Sequence, residues 1–356
     1  MAAVTATTRP INGLPTARSF SRRRPVLRAM PLSKPTVSVV IVNYCQWRNT
    51  AALARSLRRS TCIAERDAEI IIVDNDSPAH PLQAKLRRAR RLTFKQFDDN
   101  RGFAQAVNAA RGVAMGDWVL LLNPDVSIAP DFLDRVEAFA FQQLRLDPTV
   151  GIVGLHIRNS DGTTQPSCGT VPTLGSTLKG LLLPRARRKC NVESDAANGV
   201  EWATGCALLI RRDCFDAIGG FDERFFLYYE DVDLCRRAAD AGWKVRFEPT
   251  LDVTHHTPLH ARDVPPPLRM MTRHALLSFA MKYWPRWQAQ LLGRIMKLET
   301  GVRRLSAFVR GRANGVHAET SRLLDDLLAG RDADARERIA RAASLLREAA
   351  RAQDRA

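Results

Sequence analysis

Apolar residues change their spacing several times along this chain, and each change marks a predicted element. From Thr36 the run VSVVIVNY at 37–44 is rich in β-branched residues and has too few polar positions for a strand with one wet face. It predicts a central parallel strand buried on both sides. Trp47, Thr50, Ala51, Ala54 and Leu57 then recur at helical spacing, and EIIIVDN at 69–75 repeats the strand signature. A third cycle follows, with a short strand at Leu92 to Phe97, a helical face of Phe103, Ala106, Val107, Ala110 and Val113, and a strand in DWVLLLN at 117–123. Alternation of this kind predicts an α/β fold, a doubly wound, mostly parallel sheet flanked by helices, whose ligands sit beyond the carboxyl ends of the strands.

Beyond residue 150 further strands are expected at GIVGLHIR (151–158) and GCALLIR (205–211), with a long Pro-, Gly- and Arg-rich loop or lid over 166–198 between them. DVDLCRRAADAGW at 231–243 predicts a helix closed by Gly242. Leu268, Met271, Ala275, Phe279 and Tyr283 then form a helical stripe, accompanied by Trp284, Trp287, Arg269, Arg273, Lys282 and Arg286. The pattern suits an amphipathic helix lying on a membrane, and equally one packed on the protein with a solvated basic face. Leu323, Leu324, Leu327, Leu328, Ile339, Leu345 and Leu346 suggest a hairpin or short coiled coil for self-association, interrupted at Gly330. Four regions result: a disordered basic tail at 1–35, a catalytic α/β domain at 36–262, an amphipathic helical segment at 263–300, and an Arg/Ala-rich helical tail at 301–356.

Charge sharpens this division. Lys and Arg number 54 against 37 Asp and Glu, a formal net charge of +17, which raises nucleic acid, anionic membranes and phosphorylated substrates as partners. Much of the excess lies at the ends: residues 1–34 hold seven basic side chains and no acidic one. The same segment lacks the apolar core of a secretory signal. Seven cysteines without repeated short spacing imply a reducing compartment and no structural metal cage. No apolar run reaches the roughly 18–20 residues of a spanning helix.

Polar residues crowd at the predicted carboxyl ends: Asp74, Asn75 and Asp76 close one strand, and Asn123, Pro124 and Asp125 another. A Gly-x-Gly-x-x-Gly turn, a Walker-type loop and a Gly-x-Ser-x-Gly elbow are all missing, which removes the usual support for dehydrogenases, kinases and hydrolases. Acidic groups at strand ends suit a hard cation, Mg2+ or Mn2+, held against a diphosphate.

The motifs VSVVIVNY, IIIVDNDS, NRGFAQAVNAARGVAMGDWVLLLNPDV, EWATGCALLIRRDCFDAIGGFDERFFLYYEDVDLCRRAADAGW and VTHH stand in that order over about 36–260. Their order and intervals resemble family 2 of the inverting glycosyltransferases, which has the GT-A fold, and its rhamnosyltransferase-like branch in particular. The resemblance implies that Asp74 accepts the imide N–H of a pyrimidine base, with Asp76 as the weaker substitute, and that Asn100, Gly102, Asn108 and Asn123 lie on the donor nucleotide. It implies a metal bound by Asp125 and completed by His255, in preference to His256. A neutral Asn123 stands where the family carries the first acid of its Asp-x-Asp motif. Asp231 resembles the catalytic base, with Glu230 beside it, and Trp202, Thr204, Gly205 and Asp233 fall where the family meets its acceptor. Local chemistry offers alternatives: Asn-Pro-Asp forms a turn unaided, acids at a helix start are favoured by its dipole, and Trp202 suits a core.

The expected activity is therefore a metal-dependent inverting transfer of a sugar, rhamnose by resemblance, from a nucleoside-diphosphate donor to a glycan or polyprenyl-linked acceptor in envelope polysaccharide synthesis. It would take place in the cytoplasm, free or at the inner face of the membrane, with homo-oligomers allowed and no specific nucleic acid as partner. The rivals are a sugar nucleotidyltransferase, disfavoured by the missing Gly-rich loop after the first strand, and a non-catalytic basic module that binds nucleic acid.

Overall fold

The computed structural model describes residues 34–181, 200–257, 264–311 and 315–355. The expected basic tail therefore lies almost wholly outside the described residues, as do residues 182–198 of the expected loop and the expected boundary at 262/263, while the described half of that loop, 166–181, carries a short strand and a helix. The first half of the chain runs β1 (Val37–Asn43), α1 (Trp47–Leu57), α2 (Thr61–Glu65), β2 (Ala68–Asn75), α3 (Pro81–Arg87), β3 (Leu92–Phe97), α4 (Phe103–Arg111), β4 (Trp118–Leu122), β5 (Val126–Ser127) and α5 (Phe132–Leu146). It continues with β6 (Val150–Arg158), β7 (Thr164–Gln165), β8 (Cys168–Gly169), α6 (Leu174–Leu181), β9 (Trp202–Ala203), β10 (Ala207–Arg211), α7 (Arg212–Ala217), α8 (Glu230–Asp240) and β11 (Lys244–His255). Four helices close the described chain: α9 (Pro266–Tyr283), α10 (Arg286–Val309), α11 (Gly315–Leu328) and α12 (Asp332–Arg355).

Strands pair in the order β3-β2-β1-β4-β10-β6-β11-β5, with β7 on β6 and a separate β8-β9 ribbon. The half from β3 to β4 is parallel, β10 runs against both its neighbours, and β6 pairs parallel with β11. The chain leaves β1 toward β2 and β3, then returns to lay β4 on the other side of β1. The carboxyl ends of β1 and β4 thus form a switch point, where such sheets open a crevice.

Continuous apolar strands are explained by cores on both faces. Val37, Val39 and Ile41 meet α1, α2 and α5 on one side, while Val40, Ile71, Val73 and Leu121 meet α4, α7 and α8 on the other. Each fully buried Val, Leu or Ile is worth about 1.5–3 kcal/mol, so a register slip in β1 or β2 would cost many such contacts. The fold is the expected α/β type, with a helical layer at its C-terminal side.

That layer has its own core of Leu268, Met271, Leu277, Leu292, Leu323, Leu324 and Ile339. The 268–283 stripe is accordingly a packing face: Leu268, Met271, Ala275 and Phe279 are all buried. Two of its cations are bound to protein acids, Arg273 to Glu299 and Lys282 to Asp222 and Asp233. The expected hairpin forms as α11 and α12 around Gly330, at φ +73°, yet Leu323, Leu324, Leu327 and Ile339 are buried within the chain itself. The expected boundary at 300/301 falls inside α10, which is continuous because nothing from Arg286 to Val309 breaks a helix strongly enough. No described helix is long and apolar enough to cross a membrane.

Candidate active site

At the carboxyl end of β2, Asp74 is fully buried and its Oδ1 accepts from the Asn43 amide at 2.8 Å. Asn43 closes β1, also donates to the Ser77 hydroxyl at 2.9 Å, and accepts from Thr50 at 2.7 Å. Asp74 Oδ2 has no hydrogen-bond partner among the described residues, which leaves a buried carboxylate oxygen one donor short. Burial pushes this carboxyl above its ordinary pKa, against the opposing hydrogen bonds of Ser77 and Asn43.

Asp76 follows in the left-handed conformation, at φ +67°, and pairs with Arg347 of α12 at 2.8 Å. Tyr44, just after β1, donates to the carbonyl of Ala343 at 2.9 Å. Burial pushes the Tyr44 phenol up to about 12, so it stays a donor across the physiological range. The far C-terminal helix therefore touches the loops that follow β1 and β2, next to Asp74.

Asn75 and Asn100 clamp the loop before α4. Asn75 donates to Asn100 Oδ1 at 2.8 Å and accepts from the Arg101 backbone N–H at 2.9 Å, and Asn100 Oδ1 also accepts from the Gly102 N–H at 3.0 Å. Gly102 sits at φ +86°, and a Cβ there would lie 2.5 Å from the Phe226 carbonyl. Only glycine allows this loop to lie against Phe226, whose carbonyl accepts from the Phe103 N–H at 2.7 Å. Asn108 binds the backbone of Phe221 with both ends of its amide, at 2.9 Å each, and reaches Glu223 at 3.0 Å. Its polar atoms hold the loop before α8.

After β4, Asn123 and Asp125 form the turn into β5. The Asn123 N–H donates to Cys206 at 2.9 Å, its carbonyl accepts from Val126 at 3.3 Å, and Pro124 is buried between them. Asp125 is buried, with His255 Nε2 3.4 Å from its Oδ2 and the Thr257 hydroxyl donating to the same oxygen. Burial works against the carboxylate, yet His255 and Thr257 outweigh it and hold its pKa below the ordinary value. His255 Nδ1 lies 3.2 Å from Gln165 Oε1, a contact that orients the ring with Nε2 toward Asp125. His256 turns the other way, to Ser160 at 3.1 Å and Ser127 at 3.0 Å. Of the two histidines, His255 is the one on Asp125.

An oxygen and an imidazole nitrogen so placed fit a divalent cation of the Mn2+ or Mg2+ kind. No cluster of three or more metal-binding side chains occurs among the described residues, so such an ion would take its remaining ligands from a bound molecule and water.

The second acidic group is built by strain. Tyr228 and Tyr229 both have positive φ, +73° and +63°, and this double left-handed turn swings the chain abruptly into α8. Asp231 is buried in the first turn, where free backbone N–H groups and the helix dipole favour negative charge. Its Oδ2 accepts from the Gly205 N–H at 3.2 Å and its Oδ1 from the Val232 N–H at 2.9 Å. Glu230 is buried beside it. Asp231 and Asp125 share a neighbour: both charges oppose ionisation of the buried Cys206 thiol, whose pKa burial already lifts well above the ordinary thiol value. Motifs more than a hundred residues apart thus meet at one edge of the sheet.

Two expected acceptor residues are placed otherwise. Trp202 is fully buried in the core beside β8, with its indole N–H donating to the Thr170 carbonyl at 3.0 Å, so its ring has no face open to a sugar. Asp233 is wholly buried and saturated: Arg237 binds one oxygen at 2.7 Å, while Lys282 and the Tyr283 hydroxyl, at 2.7 Å, bind the other. It ties α8 to α9. Thr204 is half-buried beside Asp231's partner Gly205, with its N–H on the Ser167 carbonyl at 2.8 Å.

Asn43, Ser77, Gln165, Thr257 and Arg347 were not anticipated. Asn43 was findable as the polar residue that closes an apolar run. Gln165 and Thr257 lie in short irregular stretches, and Arg347 in a uniform Arg/Ala pattern, where nothing local sets them apart.

A mixed sheet with its acids gathered at the switch point, a metal-capable pair and a carboxylate at a helix start define a GT-A glycosyltransferase. A solved structure of GalNAc-T7 with UDP, GalNAc and Mn2+ shares the fold at a TM-score of 0.50 over 71% of this chain and 48% of that one, at 17% identity. Residues 38–185 match the model of glycosyl transferase family 2. The chain is 31% identical over 275 residues, 71% of its length and 87% of the relative's, to N-acetylglucosaminyl-diphospho-decaprenol L-rhamnosyltransferase of Mycobacterium tuberculosis H37Rv. Rhamnosyltransferase WbbL of Escherichia coli K12 is 28% identical over 149 residues, 39% of this chain and 52% of that one. The protein belongs to glycosyl transferase family 2 and is a glycosyltransferase of its rhamnosyltransferase-like branch.

Proposed function

We propose that the protein transfers L-rhamnose with inversion from a dTDP-type donor to a polyprenyl-linked glycan of the bacterial envelope, with a divalent cation as cofactor. The observation that carries the reading is the Asp231 carboxylate, fixed by the Gly205 and Val232 N–H groups on the side of the site that it shares with Asp125. The lipid-linked acceptor and the sugar rest on the Mycobacterium relative, whose name states both and most of whose length this chain spans.

In this mechanism Asp74 receives the imide N–H of the base on its spare Oδ2, while the clamped 100–102 loop borders the nucleotide. Asp125 and His255 would hold the cation, which when bound compensates charge on the diphosphate. The acceptor hydroxyl attacks the anomeric carbon as Asp231 takes its proton. The bond from that carbon to the diphosphate oxygen breaks, and its electron pair leaves with the diphosphate. One base and a direct displacement invert the anomeric centre.

Thermal unfolding with a panel of nucleotide sugars, with and without Mn2+, tests the reading. A donor at about a hundred times its Kd stabilises the native state by about 2.7 kcal/mol. The expected result is a rise in Tm with dTDP-rhamnose that depends on Mn2+ and is smaller with UDP- or GDP-sugars. A greater rise with another nucleotide would replace the donor, and none with any of them would reject the site.

A further inference from the structure

Exposed apolar side chains are unevenly spread over this molecule. Of the twelve large hydrophobic residues exposed among the described residues, seven lie on α10. Trp287, Leu291, Leu298, Val302, Leu305 and Val309 recur at intervals of four, seven, four, three and four, so they form one stripe along the helix. Their exposures run from 39% to 76%, and Phe308 beside them is 72% exposed. The opposite face, with Ala289, Leu292, Gly293, Met296 and Thr300, is buried against the helical layer. The helix is thus apolar on two sides, one against the protein and one against solvent. With 24 residues it is about 36 Å long at 1.5 Å per residue.

Charge selects the partner. Arg286, Arg294, Arg304 and Arg310 are exposed and form no ion pair among the described residues. The sole acid of α10, Glu299, is bound to Arg273 and Arg303. A second copy docked on this stripe would oppose these cations with the same cations and offer no free acid to answer them. Anionic lipid headgroups answer them all, and acyl chains accept the stripe.

We infer that α10 is a membrane-docking helix, which lies in the headgroup region of an anionic bilayer with Trp287, Leu298 and Leu305 immersed. The inference stands on α10 alone and is independent of the donor and acceptor proposed above. It also differs from the expectation for 268–283, whose apolar stripe is already covered.

The test uses the full chain with vesicles of phosphatidylglycerol and phosphatidylethanolamine, and with vesicles of phosphatidylcholine alone. We expect co-sedimentation with the anionic vesicles, weakened by salt, and little with the neutral ones. Replacing Leu298→Gln, Leu305→Gln and Phe308→Gln together is expected to lower the partition by about tenfold or more, because two immersed side chains and an exposed aromatic beside them are lost at constant charge. Brominated phosphatidylglycerol should quench tryptophan fluorescence in the parent protein and far less in Trp287→Phe. The triple variant should keep its Tm and its donor-induced shift, which separates this inference from the proposed reaction. Absence of vesicle binding overturns it. So does binding that the triple variant retains in full, which would place the contact elsewhere, and so does a dimer in sedimentation velocity that the triple variant abolishes without vesicle binding.

Discussion

The carboxyl edge of the sheet and the helical layer both bury acids, but they treat them differently. In the layer and at its joint with α8, among the described residues, the buried acids Asp233 and Asp326 are neutralised by cations: Asp233 by Arg237 and Lys282, and Asp326 by Arg331 and Arg338. At the sheet edge Asp74 keeps an oxygen without a partner, Asp125 faces a histidine and a hydroxyl, and Asp231 is held by backbone N–H groups. Left-handed backbone at Cys45, Asp76, Tyr228 and Tyr229 gathers at that same edge. The lesson is that an acid enclosed by Lys and Arg ties elements together, whereas a buried one with an oxygen still short of a donor, as in Asp74, can take a ligand. Asp231 and Asp233, two residues apart on one helix, meet different elements: Asp231 the Gly205 backbone, Asp233 the end of α9.

The sharpest way to break the comparison is to exchange each acid for its amide. For Asp231→Asn the expected outcome is a fall in kcat of about 10²–10⁴-fold, the usual contribution of a positioned base, with donor binding by calorimetry and Tm unchanged. Wild-type turnover would end its role. Asp233→Asn should do the reverse. It leaves Arg237 without its anion and Lys282 with Asp222 alone, and destabilises the fold by about 3 kcal/mol, the low end for a broken buried pair because both cations keep some contact with water. Urea unfolding measures that loss, and kcat per folded molecule should stay near that of the parent.

Gln165→Leu probes the metal pair one shell out. Loss of the acceptor on His255 Nδ1 should weaken Mn2+ affinity in the donor complex by about 10–100-fold, read by calorimetry, with little change in Tm. An unchanged affinity would remove His255 from the metal site.

The smallest effect is a pH slope. The folded-state pKa of Asp74 is raised above its ordinary value of 3.8, so between 3.8 and the raised value the folded state holds more proton than the unfolded one. Its contribution to stability therefore falls as pH rises through that window. In Asp74→Asn the slope is absent, and the Tm difference, variant minus parent, should grow from pH 3.8 upward and then level off. A difference independent of pH would show that the carboxyl is not perturbed.

Much of this was legible in the sequence. Runs without polar alternation, as in VSVVIVNY and EIIIVDN, announce strands covered on both faces, and the polar residues that end them mark the crevice. Helical periodicity located α1, α4 and α8, and Gly242 stops the last of these at φ +86° as expected of it. Pattern was insufficient where one residue type suits two environments. Trp202 reads equally as a sugar platform or a core residue, and the β8-β9 ribbon made it core. Asp233 reads like its neighbour Asp231 until Lys282 and Tyr283, some fifty residues on, close over it.

Local order determined the elements and the family motifs of this protein, because side-chain period and turn chemistry act within a few residues. Only the tertiary structure decided which acids Lys and Arg enclose, which histidine faces Asp125, which helix face stays bare, and that Tyr44 and Ala343 meet. Those outcomes depend on burial and on partners tens to hundreds of residues away, and a side chain's chemistry follows the groups that surround it once the chain has closed.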